Sequence, residues 1–178
     1  MDLVEQAKLG DNEAFTTLIE ENKLKMYKVA KSILKNEDDV CDAIQNALLS
    51  AFTNIQKLQN NQYFSTWLIR IVINKSYDIT KNNQRKNDMY DITEYEADSN
   101  LKTTDTYNSD SLVENVLNDI DDDLKTITIL YYYNDYSVTE ISRILEIPEG
   151  TVKSRLSRAR TKIYEVIQQR KEEVVWMN

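Results

Sequence analysis

The densest chemistry in this chain is cationic. The stretch GTVKSRLSRARTKI (150–163) holds Lys153, Arg155, Arg158, Arg160 and Lys162, and no acid occurs from 150 to 164, in a chain of net charge -8. Val152, Leu156, Ala159 and Ile163 recur at i, i+4, i+7 and i+11, a narrow helical stripe that must face a core. At about 100° per residue, Ser154, Ser157, Arg158 and Thr161 point the opposite way. Lys153 and Arg160 flank one edge of that face, Arg155 and Lys162 the other. Short hydroxyl side chains allow close approach to a groove, and the surrounding cations can pair with phosphates or guanine edges. A solvated helix face usually interleaves acids with bases, and this one does not.

The residues ahead of the strip position it. In YSVTEISRILEIPEGTVKSRL, Ser137 and Glu140 form a capping box that starts a helix carrying Val138, Ile141, Ile144 and Leu145. A short break follows, and Pro148 suits the first position of the next helix. Two helices joined by so short a turn make a helix-turn-helix. Two further helices precede it. One is capped by Ser111, with Leu112, Val113, Val116, Leu117 and Ile120 on one side; the other runs from about Asp122 to Tyr133 with Leu124, Ile127 and Leu130.

Composition narrows the alternatives. With two glycines and one proline in 178 residues, the chain should be almost entirely helical, and no glycine-rich phosphate loop can be written. There is no histidine and one cysteine, Cys41. That excludes a tetrahedral zinc site and nucleophile–histidine dyads, so no catalytic residue, metal or cofactor is expected. A lone cysteine fits a reducing cytoplasm. No apolar run is long enough to span a membrane. The opening MDLVEQAKLGDNEAF is acidic and amphipathic, unlike a signal peptide.

The acidity is local. Residues 1–86 carry 12 basic and 11 acidic side chains, 87–123 one basic and 12 acidic, and 124–178 nine basic and seven acidic, or +1, -11 and +2. Within the middle segment, 87–110 lacks helical periodicity and reads as a mobile acidic linker. Its 24 residues reach ~80 Å if fully extended. The expected organisation is a helical domain over 1–86, the linker over 87–110 and a second helical domain over 111–178.

In the first domain, helices are expected at 2–9, 13–34, 38–58 and 64–80, with Gly10 closing the first and Asn12 capping the second. The third turns Val40, Ala43, Ile44, Ala47, Leu48, Ala51, Phe52 and Ile55 inward and presents Asp42, Gln45, Asn46 and Leu49. A leucine among polar groups fits a protein contact, although isolated exposed leucines are common. The fourth is apolar nearly all round and should be central. Its one polar-aromatic face holds Trp67, Arg70, Ile71, Asn74, Asp78, Lys81 and Arg85. Such a row suits the bases and backbone of a single nucleic-acid strand, unless Trp67 is simply core.

Three strings, DAIQNALLSAF, FSTWLIRIVINKSYDI and VTEISRILEIPEGTVKSRLSRARTKI, resemble bacterial RNA polymerase sigma factors of the extracytoplasmic-function (ECF) type. The third is the most specific, and the order and spacing of all three cover nearly the whole chain outside 87–110. The resemblance implies an all-α chain. A region 2 helical bundle would bind core polymerase and open the −10 element, and a four-helix region 4 would read the double-stranded −35 element. It implies −35 contacts through Lys153, Ser154, Arg155, Ser157, Arg158 and Thr161. It implies −10 contacts through Tyr63, Phe64, Trp67, Arg70, Asn74, Lys81 and Arg85, with loop 59–65 pocketing a flipped base. Asp42, Gln45, Asn46 and Leu49 match the surface that docks on polymerase, and an anti-sigma partner is implied as well. Two departures stand out. Asn46 replaces an acid frequent in the family, and KNNQRK is a thin basic end for region 2, so affinity for DNA alone should be weak.

A stand-alone helix-turn-helix regulator would instead bind DNA tightly without polymerase, and an acidic helical adaptor would bind protein only. The linker leaves two readings open: an acidic strand that mimics RNA in the polymerase's RNA path, or a segment that only solubilises and extends. Neutralising its acids should change the ratio of abortive to full-length transcripts on the first reading; an unchanged ratio supports the second.

Overall fold

The computed structural model describes residues 2–90, 116–117 and 119–176. Every regular element among them is a helix, and none is long and apolar enough to cross a membrane. α1 (Leu3–Lys8) buries Val4 and Ala7. Gly10, at φ +96°, turns the chain into α2 (Asn12–Ile33). The α2 cap is Asp11, not Asn12: its carboxylate accepts from the amides of Glu13 at 2.9 Å and Ala14 at 3.1 Å. Asn12 is itself the first helical residue, so its side chain cannot serve.

α3 (Glu37–Asn54) starts at Asn36, whose side chain accepts from the amide of Asp38 at 2.7 Å. Glu37, Asp38 and Asp39 fill its first turn, where the helix dipole favours negative charge. Ala43, Ala47 and Ala51 are fully buried along one stripe, and such small side chains let α3 lie close to its neighbour. That neighbour is α4 (Phe64–Tyr90), whose Leu68, Ile69 and Val72 are 0 % exposed. α4 is central, as its all-round apolarity requires, and continues past the expected end at 80. Asn83 donates to Asp39 across to α3 at 3.0 Å, and the helix runs four residues into the expected linker. The rest of that linker, 91–110, lies outside the described residues.

One expected core residue is not in the core. Phe52 is 54 % exposed and meets Phe15 in a T-shaped contact, with centroids 5.2 Å apart. The stripe itself continues inward to Ile55, 3 % exposed; Phe52 lies about 100° round the helix from Ala51, off the edge of that stripe and beside exposed Gln45.

In the second half, most of the expected first helix lies outside the described residues, though Leu117 and Ile120 are buried. α5 (Asp122–Thr128) passes into one π-helical turn over Ile129–Tyr133, where a simple α-helix was expected. The amide of Asn134 reaches the carbonyl of Ile129, an i→i−5 bond. Asp135, at φ 55°, ends the turn and sends Tyr136 inward to 4 % exposure.

α6 (Val138–Leu145) carries the expected capping box. Its C-cap, Glu146, sits in the left-handed region at φ 53°, ground that glycine ordinarily takes. α7 (Glu149–Trp176) starts one residue later than Pro148 suggested: the proline carbonyl accepts from the amides of Thr151 and Val152, so Pro148 is the N-cap.

The two helical halves pack on one another. α6 packs on α4, α5 packs on α2, and one continuous apolar core runs from Val4 through Leu68 and Ile127 to Ala159. The capping box is the clearest local determinant of α6. Ser137→Ala should lower stability by about 1 kcal/mol, read as a lower urea midpoint with an unchanged m-value; no shift would mean that tertiary packing alone fixes where α6 begins.

Candidate nucleic-acid interface

α7 is divided as its sequence requires. Val152, Leu156 and Ala159 are at most 3 % exposed, Ile163 packs against the same core, and Lys153, Ser154, Ser157, Arg158 and Thr161 are exposed on the other side. The hydroxyls of Ser154 and Thr161 donate to the carbonyls of Thr151 at 3.0 Å and Ser157 at 3.3 Å, which holds them close to the helix. The centre of the face is therefore low, with Arg158 standing above it.

The edges are less free. Arg155 pairs with Asp123 at 3.1 Å, and an open groove beside it is lined by Asp121–Asp123 as well as Arg158 and Lys162. On the other edge Arg160 donates to the Tyr132 hydroxyl at 2.7 Å, which raises the guanidinium pKa.

In the first half, loop 59–63 is built and anchored. Asn60 caps a 3-10 turn over Asn61–Tyr63 by accepting from the amide of Gln62 at 3.0 Å. Lys8, from α1, donates to the carbonyl of Leu58 and to Asn61 Oδ1. No spacing or motif pointed to α1 as the holder of this loop, because a lysine at the end of a short helix ordinarily faces solvent.

Along α4, Asn74, Lys81 and Arg85 are exposed and Trp67 is half-buried. Phe64 is 4 % exposed and packs against Trp67 with centroids 5.9 Å apart. It belongs to the core and supports the indole, with no face open to a base. Tyr63 and Arg70 are engaged by the other half of the chain. The Arg143 guanidinium lies 4.4 Å from the Tyr63 ring centroid, and Arg70 pairs with Glu146 at 2.5 Å.

Those two contacts belong to a longer seam. Tyr136 meets Ser65 Oγ at 2.6 Å, and Ser65 donates to Asn22 Oδ1 at 2.8 Å. A hydroxyl has one proton, so Tyr136 must be the donor to Ser65. Lys25 and Lys28 of α2 lie over the rings of Tyr136 and Tyr133. Burial pushes the pKa of Tyr136 up, partly offset by Ser65, and burial likewise raises that of Tyr77 on α4, partly offset by Thr126 and with Asp123 and Asp122 adding to it. Both phenols therefore stay neutral through the physiological range. Thr126 lies beside Tyr77, yet its hydroxyl is buried without a hydrogen bond of acceptable geometry.

On α3, Asp42, Gln45, Asn46 and Leu49 are all exposed, Leu49 at 67 %. Exposed Phe52, one turn on, extends this surface and makes it more apolar than the sequence suggested. Near the start of α3, Glu37 is bonded by Lys31, which lowers its pKa.

Comparison with known proteins agrees with this geometry. The family model for Sigma-70 region 2 matches residues 18–86, and that for Sigma-70, region 4 matches 112–163. The chain is 30 % identical to the ECF RNA polymerase sigma factor SigW of Bacillus subtilis (strain 168), covering 88 % of this chain and 90 % of that one. It is 29 % identical to the ECF RNA polymerase sigma-E factor of Haemophilus influenzae, over 93 % and 94 %. The fold is shared with two solved chains. One is CnrH in complex with the cytosolic domain of CnrY, with TM-score 0.71, 21 % identity and 94 % and 96 % coverage. The other is the sigma factor RpoE in complex with the anti-sigma factor NepR from Bartonella quintana, with TM-score 0.73, 21 % identity and 86 % and 96 % coverage.

The anchoring of the loop by Lys8 can be tested alone. Lys8→Met keeps the stem and removes the ammonium, whose hydrogen bonds contribute about 1.5–3 kcal/mol. Amide exchange across 59–63 should quicken tenfold or more while the global melting temperature moves little; unchanged exchange would mean the turn holds itself.

Proposed function

The chain belongs to the ECF family of RNA polymerase sigma factors, and from that premise we propose that it binds core RNA polymerase and directs promoter-specific initiation through two elements. The observation that carries the reading is the divided α7, with buried Val152, Leu156 and Ala159 behind an exposed face of Ser154, Ser157, Arg158 and Thr161. On this reading α7 lies in the major groove of the −35 element. Arg158 reaches base edges, Ser154, Ser157 and Thr161 line the close approach, and Lys153 and Arg155 hold phosphates.

Region 2 then takes the non-template strand of the −10 element. Trp67 and Tyr63 offer stacking surfaces, Asn74 reads a base edge, and Arg70, Lys81 and Arg85 track the backbone. Loop 59–63, fixed by Lys8, receives the unstacked base. Phe64 acts from beneath, by fixing Trp67. The α3 surface of Asp42, Gln45, Asn46 and Leu49, extended by Phe52, docks on the polymerase. The protein adds recognition to an enzyme and needs no catalytic group or cofactor of its own. Its partners are core polymerase, promoter DNA and an anti-sigma factor, and its place is the cytoplasm.

Run-off transcription with core polymerase on a promoter library tests this. Transcripts that require the protein, and that lose about tenfold to a hundredfold with Arg158→Ala as a base contact of ~1–3 kcal/mol demands, are expected. No protein-dependent transcript from active core enzyme would overturn the reading. Tight, sequence-specific binding by the protein alone would favour a stand-alone regulator.

A further inference from the structure

The two edges of the outward side of α7 are held in different ways. On one, Arg160 donates to a hydroxyl, that of Tyr132. On the other, Arg155 meets a carboxylate, that of Asp123, at 3.1 Å. A hydroxyl orients a cation; a carboxylate also matches its charge. Of the strip's five cations, Lys153, Arg158, Arg160 and Lys162 are exposed, and Arg155 alone is half-buried, with 28 % of its side chain in solvent. Resting on the reading of α7 as the −35 helix, we propose that Asp123 is a positioning residue for promoter selection. It draws Arg155 to the edge of α7, matches its charge and leaves Arg158 as the arginine that reads base edges.

Position and packing carry this role. Asp123 lies in the first turn of α5, whose Leu124 and Ile127 are buried, and α5 packs on α7, so the carboxylate is presented from a fixed backbone. Both residues lie within the stretch matched by region 4, so the pair belongs to that unit by itself. Arg155 and Arg158 stand three residues apart and are neighbours on the helix surface. An unrestrained Arg155 can swing over the same base pairs as Arg158, or onto any nearby phosphate. Ser154 and Ser157 are too short to block that swing. The ion pair prevents it by holding the guanidinium toward α5, beside the groove that Asp121–Asp123 share with Arg158 and Lys162.

The consequence is selectivity and not affinity. Arg155 keeps further N–H groups for a phosphate at the edge, a contact that positions the helix without naming a base. With Asp123 beside it, that contact adds little net charge. A freed Arg155 adds attraction to every sequence alike, and so lowers the ratio of specific to non-specific binding. Pairs this close to solvent are weak as struts, so removing the carboxylate should leave the fold intact.

The test uses holoenzyme, the full chain with core polymerase, on promoters randomised at −35. Asp123→Asn should steepen the slope of log K against log salt by about 0.9, as one added phosphate contact requires. It should also reduce the preference for the selected −35 sequence over a scrambled one about fivefold or more, as a second, undiscriminating arginine demands. Arg155→Gln added to Asp123→Asn should reverse both changes, which a merely structural role of Asp123 does not predict. An unchanged slope and preference, or changes that Arg155→Gln fails to reverse, would overturn the positioning role. A steeper slope with the preference intact would sink the claim of selectivity. No transcript from the wild-type holoenzyme is a different failure, and would overturn the sigma-factor reading beneath it.

Discussion

The structure depends on α4 being buried from both sides. Leu68, Ile69 and Val72 are 0 % exposed, and α6 packs on α4 in addition to α2 and α3. Ser65, at the start of the same helix, accepts from Tyr136 and donates to Asn22. One hydroxyl thus orders a hydrogen-bond chain through three segments of the molecule. A buried phenol left without that partner would lose the desolvation cost of its hydroxyl, about 1–3 kcal/mol. The loss would fall on the junction between the halves and not within either.

Charge reinforces this arrangement without dominating it. Two of the arginines proposed to meet DNA are paired within the chain: Arg70 with Glu146 and Arg155 with Asp123. Exposed pairs of this kind contribute between zero and about 1 kcal/mol each and weaken with salt. They lower the affinity of each half for a polyanion more than they hold the halves together. The weight of the junction rests on apolar burial and on Tyr136.

Much of this was legible in the sequence where a period or a cap carried the information. The stripe of Val152, Leu156 and Ala159 fixed which side of α7 faces out, and Ser137 with Glu140 fixed the start of α6. Phe52 was read as core for its apolarity, yet it lies about 100° round α3 from Ala51 and beside Gln45, so a stricter use of the period would have placed it outside. The π turn at Ile129–Tyr133 depends on packing that shifts one register of hydrogen bonds, and composition does not encode that. The junction was hidden for a different reason. Its pairs, 65 with 136 and 70 with 146, are far apart in sequence and polar, so they leave neither a stripe nor a motif. Arg70 was read as open to a strand from its spacing and Tyr63 from the family resemblance; that both are occupied follows only from the fold.

The central claim is that this chain gives core polymerase its promoter. The most direct measurement is permanganate footprinting of a selected promoter with core polymerase alone, with the chain alone and with both. Unpaired thymines near −10 and protection near −35 only when both are present is the result the account predicts. The same footprint without the chain, or none with both, would contradict it.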